Sequence, residues 1–125
     1  MVKSFDYDVV VVGSGPGGEG GAIKSAKLGK KVAVIDDKPQ VGGNCTHRGT
    51  IPSKALRHAV QVLSETGTFR DANFHDLLRR AESVIGEQVA LRQGFYERNY
   101  LDVFHGRAGF LDPLLSAPDT KSSAQ

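Results

Sequence analysis

Glycine is concentrated near the start of the chain, between a short apolar run and an amphipathic segment. The six residues at this point are Gly13, Ser14, Gly15, Pro16, Gly17 and Gly18. A glycine at position 13 permits a tight turn, one at 15 lets the backbone approach a bound group, and one at 18 allows a helix to pack closely on a strand. Backbone N–H groups at the start of a helix bind phosphate. The spacing therefore predicts a site for the pyrophosphate of a dinucleotide.

An acidic residue stands where such a site needs one. Asp36 follows Gly18 by 18 residues and ends a second apolar run, Val32 to Ile35. A carboxylate there accepts hydrogen bonds from the ribose hydroxyls of an adenosine and repels a 2′-phosphate. Asp36 therefore favours FAD or NAD over NADP. The pattern alone leaves the choice between FAD and NAD open.

Hydrophobic patterning predicts the elements that position these residues. Two β-branched runs, at residues 7–12 and 32–35, are typical of buried parallel strands, and the helix between them ends near Gly29. The later pattern predicts a loop over 38–48, helices from about 50 and over 74–99, a third strand over 101–104 and a candidate fourth at 109–111. We therefore expect an α/β fold that begins with a βαβ unit.

Composition excludes several classes of protein. The 125 residues are 39% hydrophobic and 24% charged with a net charge of +2, which is typical of a soluble domain without a nucleic-acid arm or membrane patch. A single cysteine, Cys45, excludes a disulfide scaffold and a thiol-rich metal site, and no other metal-binding pattern is present. The acidic start is unlike a signal peptide, so we expect a cytoplasmic location.

A second motif lies after the βαβ unit. Residues 42–56 read Gly-Gly-Asn-Cys-Thr-His-Arg-Gly-Thr-Ile-Pro-Ser-Lys-Ala-Leu. This run resembles the signature of the flavin-dependent pyridine nucleotide–disulfide oxidoreductases, in which Gly-Gly-x-Cys, four residues and Cys precede Ile-Pro-Ser-Lys. In that family the two cysteines form a disulfide against the flavin. Here Cys45 occupies the first position but Thr50 the second, so one thiol is left and no dithiol relay can form.

One branch of that family has the same departure. The run that starts at Cys45, the opening from Tyr7 and the segment 92–99 look like those of the soluble, flavin-containing NAD(P) transhydrogenases. The resemblance covers residues 5 to about 112, although Asn44 and Arg48 replace the glycine and tryptophan expected there. It implies that NADPH gives hydride to FAD and that the reduced flavin passes it to NAD. It also implies a homo-oligomeric full-length enzyme that binds NADPH and NAD outside this chain.

The resemblance also implies an organisation. Residues 1–112 would be the N-terminal βαβαβ part of a Rossmann-like FAD-binding domain with a long helical hairpin insertion, and 113–125 a flexible tail. We then expect the 125 residues to be part of a longer enzyme and to be inactive alone. The glycine loop would bind the FAD pyrophosphate and Asp36 the ribose. The remaining cofactor-binding positions would be Asp37, Gly42, Gly43, Asn44, Cys45, Lys54 and Ala108.

Several of these positions have a specific expected role. Lys54 would lie beside the flavin, where a cation stabilises the anionic reduced form. Cys45 would pack against the flavin, and Ala108 would meet the adenine through its backbone. Arg92 and Arg98 are expected to be structural. The histidines His47 and His58 are expected in a loop and on a helix surface, outside any acid–base role.

Two other functions stay open at this stage. One is a dihydrolipoamide-dehydrogenase-like enzyme that lacks the redox disulfide, against which Thr50 and the Thr46–His47 pair weigh. The other is a stand-alone FAD- or NAD-binding module without turnover, which the short length favours. Either would bind a small-molecule dinucleotide rather than nucleic acid or a membrane.

Overall fold

A computed structural model describes residues 5–110 and 115–116 of the chain. Within that part a parallel sheet alternates with helices, and a pair of long helices separates its second and third strands. The elements are β1 (Val9–Val12), α1 (Pro16–Lys27), β2 (Val32–Asp36), α2 (Gly43–His47), α3 (Thr50–Glu65), a 3₁₀ turn (Phe69–Asp71), α4 (Phe74–Arg98), β3 (Asp102–His105), β4 (Gly109–Phe110) and β5 (Leu115–Ser116).

The main sheet has three parallel strands in the order β1-β2-β3. Val9 pairs with Val32 at the start of β1, and Asp36 pairs with His105 at the end of β3. Because the strands are parallel, their carboxyl ends lie at one edge of the sheet, where ligands bind in folds of this type. The predicted α/β fold, with its βαβαβ order and helical insertion, is confirmed.

The central strand β2 forms the middle of the core. All five of its residues are buried, and β2 lies between β1 and β3 in the sheet. Val32 and Val34 form one cluster with Ala22 of α1 and with Tyr96 of α4, whose side chain has no solvent exposure. The small side chain of Ala22 lets α1 pack close to the sheet. The helical insertion is thus anchored to the core by the last turn of α4.

The long helices α3 and α4 pack against each other. Ala59 and Leu63 of α3 are buried, as is Ala81 of α4. The start of α4 is capped by Asn73, whose side chain accepts a hydrogen bond of 2.9 Å from the backbone N–H of Asp76. No helix in the described part of the chain is both long and apolar enough to cross a membrane.

Some predicted boundaries were wrong. The segment 38–48 was expected to be a loop, but residues Gly43–His47 form the short helix α2. Its glycine content favoured a loop, whereas tertiary packing stabilises the helix, since the side chain of Thr46 is completely buried. The third strand is displaced by one residue and spans Asp102–His105.

The expected tail begins at residue 113. Of this segment only Leu115–Ser116 belong to the described residues, and they pair as β5 in antiparallel fashion with β4. The flexibility predicted for the rest of residues 113–125 lies outside the described residues.

Candidate dinucleotide-binding site

The glycine loop connects β1 directly to the N-terminus of α1. Gly13 has φ of +95°, a conformation that side-chain-bearing residues rarely adopt, and its N–H donates to the Ile35 carbonyl at 2.7 Å. Helix α1 then begins at Pro16, with Gly15 as its N-cap. Gly15 has no side chain to cap the helix and Pro16 has no N–H. The N–H groups of the first turn are therefore free to bind an anion.

Three glycines at the start of α1, at positions 15, 17 and 18, differ in what surrounds them. A Cβ at Gly18 would lie 1.9 Å from the carbonyl oxygen of Gly13 and 3.2 Å from Cγ1 of Val11. A Cβ at Gly15 or Gly17 would meet nothing within 4 Å. Gly18 is therefore needed for close packing of α1 on the strand, whereas Gly15 and Gly17 border open space. This is the division of roles that a bound pyrophosphate requires.

Asp36 lies at the carboxyl end of β2 with only 9% of its surface exposed. Its Oδ2 accepts hydrogen bonds from the Ser14 N–H at 2.7 Å and from the Ser14 hydroxyl at 2.5 Å, and its Oδ1 accepts one from the Lys38 N–H at 2.9 Å. Burial by itself raises the pKa of Asp36, but these hydrogen bonds outweigh it and lower the pKa below its usual value. Asp36 is thus a fixed carboxylate beside the glycine loop.

The second glycine pair lies against the first loop. Gly42 and Gly43 both have positive φ, of +116° and +61°. The Gly42 N–H donates to the Ser14 hydroxyl at 3.1 Å, and a Cβ at Gly43 would lie 2.7 Å from Cα of Gly15. Ser14, completely buried, therefore connects the glycine loop, Asp36 and residue 42.

A cavity of about 210 Å³ lies beside this junction, between residues 38–40 and the start of α2. Asn44 and Gly43 line it together with the basic side chains of Lys38, His47 and Arg48. His47 was expected in a loop but is the last residue of α2, and its Nε2 lies 2.9 Å from the Val41 carbonyl oxygen. The surroundings of this cavity are cationic, as an anionic ligand requires. Asp37 is exposed and pairs with Lys38 at 3.6 Å.

The remaining predicted site residues are spread more widely. Cys45 is partly exposed in α2 and is a free thiol. Lys54 is exposed on α3 and lines a different cavity of about 620 Å³, between α3 and α4, together with His58 and Arg80. Ala108 follows the Gly106 turn, whose N–H donates to the Asp36 carbonyl at 2.8 Å. The structure therefore brings the Ala108 segment to the glycine-loop edge and leaves Lys54 in a separate cavity.

One polar cluster was missed by sequence reasoning. Arg92 of α4 pairs with Glu19 in the first turn of α1 at 3.5 Å, and about 15% and 16% of these side chains are exposed. The Tyr96 hydroxyl is buried beside them, without a hydrogen-bond partner in the described part of the chain. Burial, and then the charges of Glu19 and Asp36, raise the pKa of Tyr96 to about 12, which Arg92 opposes. The one local feature of the sequence that could have indicated this cluster is an acidic residue, Glu19, in the first turn of α1.

Comparison with known proteins decides the family. A family model described as pyridine nucleotide-disulphide oxidoreductase matches residues 7–121, which is most of the chain. The chain belongs to this family. The resemblance seen in the motif at residues 42–56 is thus confirmed.

Relatives within the pyridine nucleotide-disulphide oxidoreductase family include two soluble pyridine nucleotide transhydrogenases. That of Hahella chejuensis is 56% identical over 120 residues, covering 89% of this chain and 26% of the relative. That of Azotobacter vinelandii is 53% identical over 117 residues, covering 86% and 25%. The chain therefore spans about a quarter of the length of the curated relatives it matches.

The fold is similar to that of a solved flavoprotein structure. The Cu(II) complex of the HOCl-induced flavoprotein disulfide reductase RclA from Escherichia coli superposes with a TM-score of 0.73 at 27% identity, covering 87% of this chain and 23% of that chain. Over residues 5–110 and 115–116, no group of three or more His, Cys, Asp or Glu residues could hold a metal ion.

Proposed function

We propose that this chain is the FAD-binding part of a flavin-dependent transhydrogenase that moves hydride from NADPH to NAD. The observation that carries the proposal is the contact of three segments at one sheet edge. The glycine loop, Asp36 and the Gly42–Gly43 pair are joined there through Ser14. The transhydrogenase names of relatives that are 53–56% identical support the reaction.

The residues present fit the two halves of an ADP group. Free N–H groups at the start of α1 would bind the pyrophosphate, because open space borders Gly15 and Gly17. Asp36 accepts three hydrogen bonds within the protein, and a carboxylate has about four acceptor positions. One position is therefore left for a ribose hydroxyl. The fixed negative charge also disfavours a 2′-phosphate at this site.

The flavin, when bound, supplies the chemistry of accepting and returning a hydride. The protein's own residues then bind and orient it. Cys45 is the only cysteine of the sequence and Thr50 stands at the position of the family's second one, so this chain cannot reduce a substrate through an internal dithiol. Cys45 and Lys54 are proposed to lie beside the flavin, Ala108 to meet the adenine through its backbone, and the loop from Asp37 to Cys45, which includes Asn44, to wrap the cofactor.

The longer enzyme would bind NADPH and NAD outside residues 1–112, and we propose that it is a homo-oligomer in the cytoplasm. Its relatives are named as soluble proteins. Residues 1–112 would then be one part of a larger FAD-binding domain, followed by a flexible tail at 113–125, and the chain alone would bind FAD without turnover.

A binding module without turnover is the second candidate. The glycine loop, Asp36 and the Gly42–Gly43 pair would bind the ADP half of a dinucleotide whether or not hydride transfer follows. A dihydrolipoamide-dehydrogenase-like enzyme without the disulfide has less support, because the relatives named above are transhydrogenases.

Titration of the purified chain with FAD, followed by flavin fluorescence and the visible spectrum, tests cofactor binding. We expect stoichiometric binding that the Asp36→Asn substitution weakens about tenfold, in line with loss of a charged hydrogen bond. Asp71→Asn, which removes an exposed carboxylate in the 3₁₀ turn, is the matched control and should bind as the unsubstituted chain does. A chain that binds no FAD would contradict the proposal.

Transfer is tested separately with NADPH and a thio-NAD acceptor. The FAD-loaded chain should show no transfer, whereas the same residues within a full-length relative should support it. Transfer by the 125-residue chain itself would contradict the expectation that it is inactive alone. Full-length protein that binds FAD but transfers no hydride would favour the binding module.

A further inference from the structure

An acidic side chain lies in the part of α1 that should attract anions. Glu19 is in the first turn of α1, which begins at Pro16. Open space borders this turn at Gly15 and Gly17. Because side chains on a helix lean toward its N-terminus, we expect the charge of Glu19 to act on the N–H groups of the same turn. An unpaired carboxylate there would interact with the positive end of the helix dipole and would repel a phosphate.

Arg92 counters this charge. Its Nε lies 3.5 Å from Oε2 of Glu19, and both side chains are about five-sixths buried, so solvent screens the pair only weakly. Within the described residues Oε2 of Glu19 accepts no hydrogen bond, so the guanidinium of Arg92 is its main compensation. Arg92 is itself held in place by a hydrogen bond of 3.2 Å from its Nη1 to Oε1 of Gln88 on the same helix.

The neighbouring Tyr96 shows that these charges act over a distance in this interior. After burial, the charge of Glu19 is the next cause that raises the pKa of the Tyr96 hydroxyl, and Arg92 acts in the opposite direction. Tyr96 belongs to the core cluster that also contains Ala22 of α1.

We infer that Arg92 is a positioning residue for phosphate binding: by neutralising Glu19 it keeps the N-terminus of α1 attractive to a pyrophosphate. The inference rests on the proposed function and assigns to the helical insertion a part in holding the cofactor. Arg92 acts through Glu19 and touches no ligand itself. Loss of its charge should therefore weaken ligands that carry a pyrophosphate and spare those that do not.

Binding of ADP and of adenosine to the full 125-residue chain tests this by calorimetry. Arg92→Gln should weaken ADP about five- to twentyfold and leave adenosine within about twofold, as expected for one uncompensated charge close to a phosphate. Arg92→Lys, which keeps the charge, should restore most of the ADP affinity. Arg98→Gln is the matched control, because Arg98 stacks on Phe95 at 5.2 Å in the same helix and should leave both ligands unchanged.

A double variant that removes both charges separates an effect on ADP binding from an effect on folding. Removing one partner of a buried ion pair destabilises a protein, whereas removing both charges is often tolerated. Glu19→Gln combined with Arg92→Gln should return ADP affinity to within about twofold of the unsubstituted chain, and Glu19→Gln alone should bind ADP at least as tightly. Added salt should reduce the ADP deficit of Arg92→Gln.

Two results would overturn the inference while leaving the proposed function intact. One is an equal loss of ADP and adenosine in Arg92→Gln, which would show a purely structural role. The other is a double variant that binds ADP as poorly as Arg92→Gln alone. A chain that binds neither ADP nor FAD would instead overturn the proposed function and, with it, this inference.

Discussion

The hydroxyl of Ser14 donates a hydrogen bond of 2.5 Å to Oδ2 of Asp36, and both side chains are buried. The same hydroxyl oxygen accepts a hydrogen bond from the Gly42 N–H at 3.1 Å. One side chain of the glycine loop therefore fixes both the acidic residue and the second loop. The junction is made of protein groups alone, so the glycine loop, Asp36 and the second loop hold one another in place.

Replacing Ser14 should destabilise the fold as well as the site. Ser14→Ala removes the donor to Asp36 and the acceptor of Gly42, and leaving buried polar groups short of partners costs about 1–3 kcal/mol. Urea denaturation measures this change. Ser53→Ala, at an exposed hydroxyl that contacts only the Thr50 carbonyl, is the control and should change the free energy of unfolding little. Equal stabilities of the two variants would show that the Ser14 junction contributes nothing.

The charge of Asp36 should make stability depend on acid. The pKa of Asp36 is lower in the folded chain than its ordinary 3.8, so the contribution of this group is fully present above that value. It is lost as the pH falls through the folded-state pKa. We therefore expect the free energy of unfolding of the unsubstituted chain to fall more steeply below about pH 4 than that of Asp36→Asn.

Urea denaturation at pH 7, 5, 4 and 3 gives the required comparison for Asp36. Asp71→Asn, at an exposed carboxylate, should follow the unsubstituted chain through the whole series. If Asp36→Asn shows the same slope below about pH 4 as the unsubstituted chain, the carboxylate is not held in its charged form by Ser14 and Lys38.

Two glycines of α1 should respond oppositely to the same substitution. A Cβ at Gly18 would approach the Gly13 carbonyl oxygen to 1.9 Å, so Gly18→Ala must displace backbone and should cost about 1–3 kcal/mol or more. A Cβ at Gly20 meets nothing within 4 Å, and alanine there should raise helix stability by up to about 1 kcal/mol. Thermal unfolding of both variants checks this. Similar melting temperatures would mean that α1 does not pack against the loop as described.

The contact between the two glycine loops can be tested at Gly43. Gly43 and Gly67 both have positive φ, of +61° and +70°, so alanine at either costs about 1–2 kcal/mol for backbone conformation alone. Only at Gly43 would the new Cβ also meet backbone, 2.7 Å from Cα of Gly15. Gly43→Ala should therefore be the more destabilising by at least about 1 kcal/mol. Chemical denaturation of the two variants decides the matter, and a smaller loss at Gly43 would contradict the contact.

The parts of this site that were predictable from sequence are the local ones. The positions of Gly13 and Gly18, and of Asp36 at a strand end, follow from turn geometry and from a fixed spacing along the chain. Helix α2 was missed because its five residues are stabilised by burial of Thr46 rather than by local propensity. Short helices depend on such packing, which no window of sequence reveals.

Hydrogen bonds and ion pairs between segments that are distant in sequence could not be predicted either. Ser14 belongs to the predicted glycine loop, yet nothing in the sequence showed that its hydroxyl would donate a hydrogen bond to Asp36. Arg92 was interpreted as structural, and the structure adds that it pairs with Glu19 of α1. Ion pairs between separate helices depend on how those helices pack, so the pairing of Arg92 with Glu19 needed the three-dimensional arrangement.

The order of the sheet has a consequence for how the chain folds. Strand β2 pairs with β1 across the single helix α1, but it pairs with β3 only after the whole segment from residue 37 to residue 101. Closing the longer connection costs more entropy and slows pairing. We therefore expect the β1-α1-β2 unit to form in the transition state, with β3 added later. Stopped-flow kinetics should then show that Ala22→Gly slows folding and that Val103→Ala chiefly speeds unfolding.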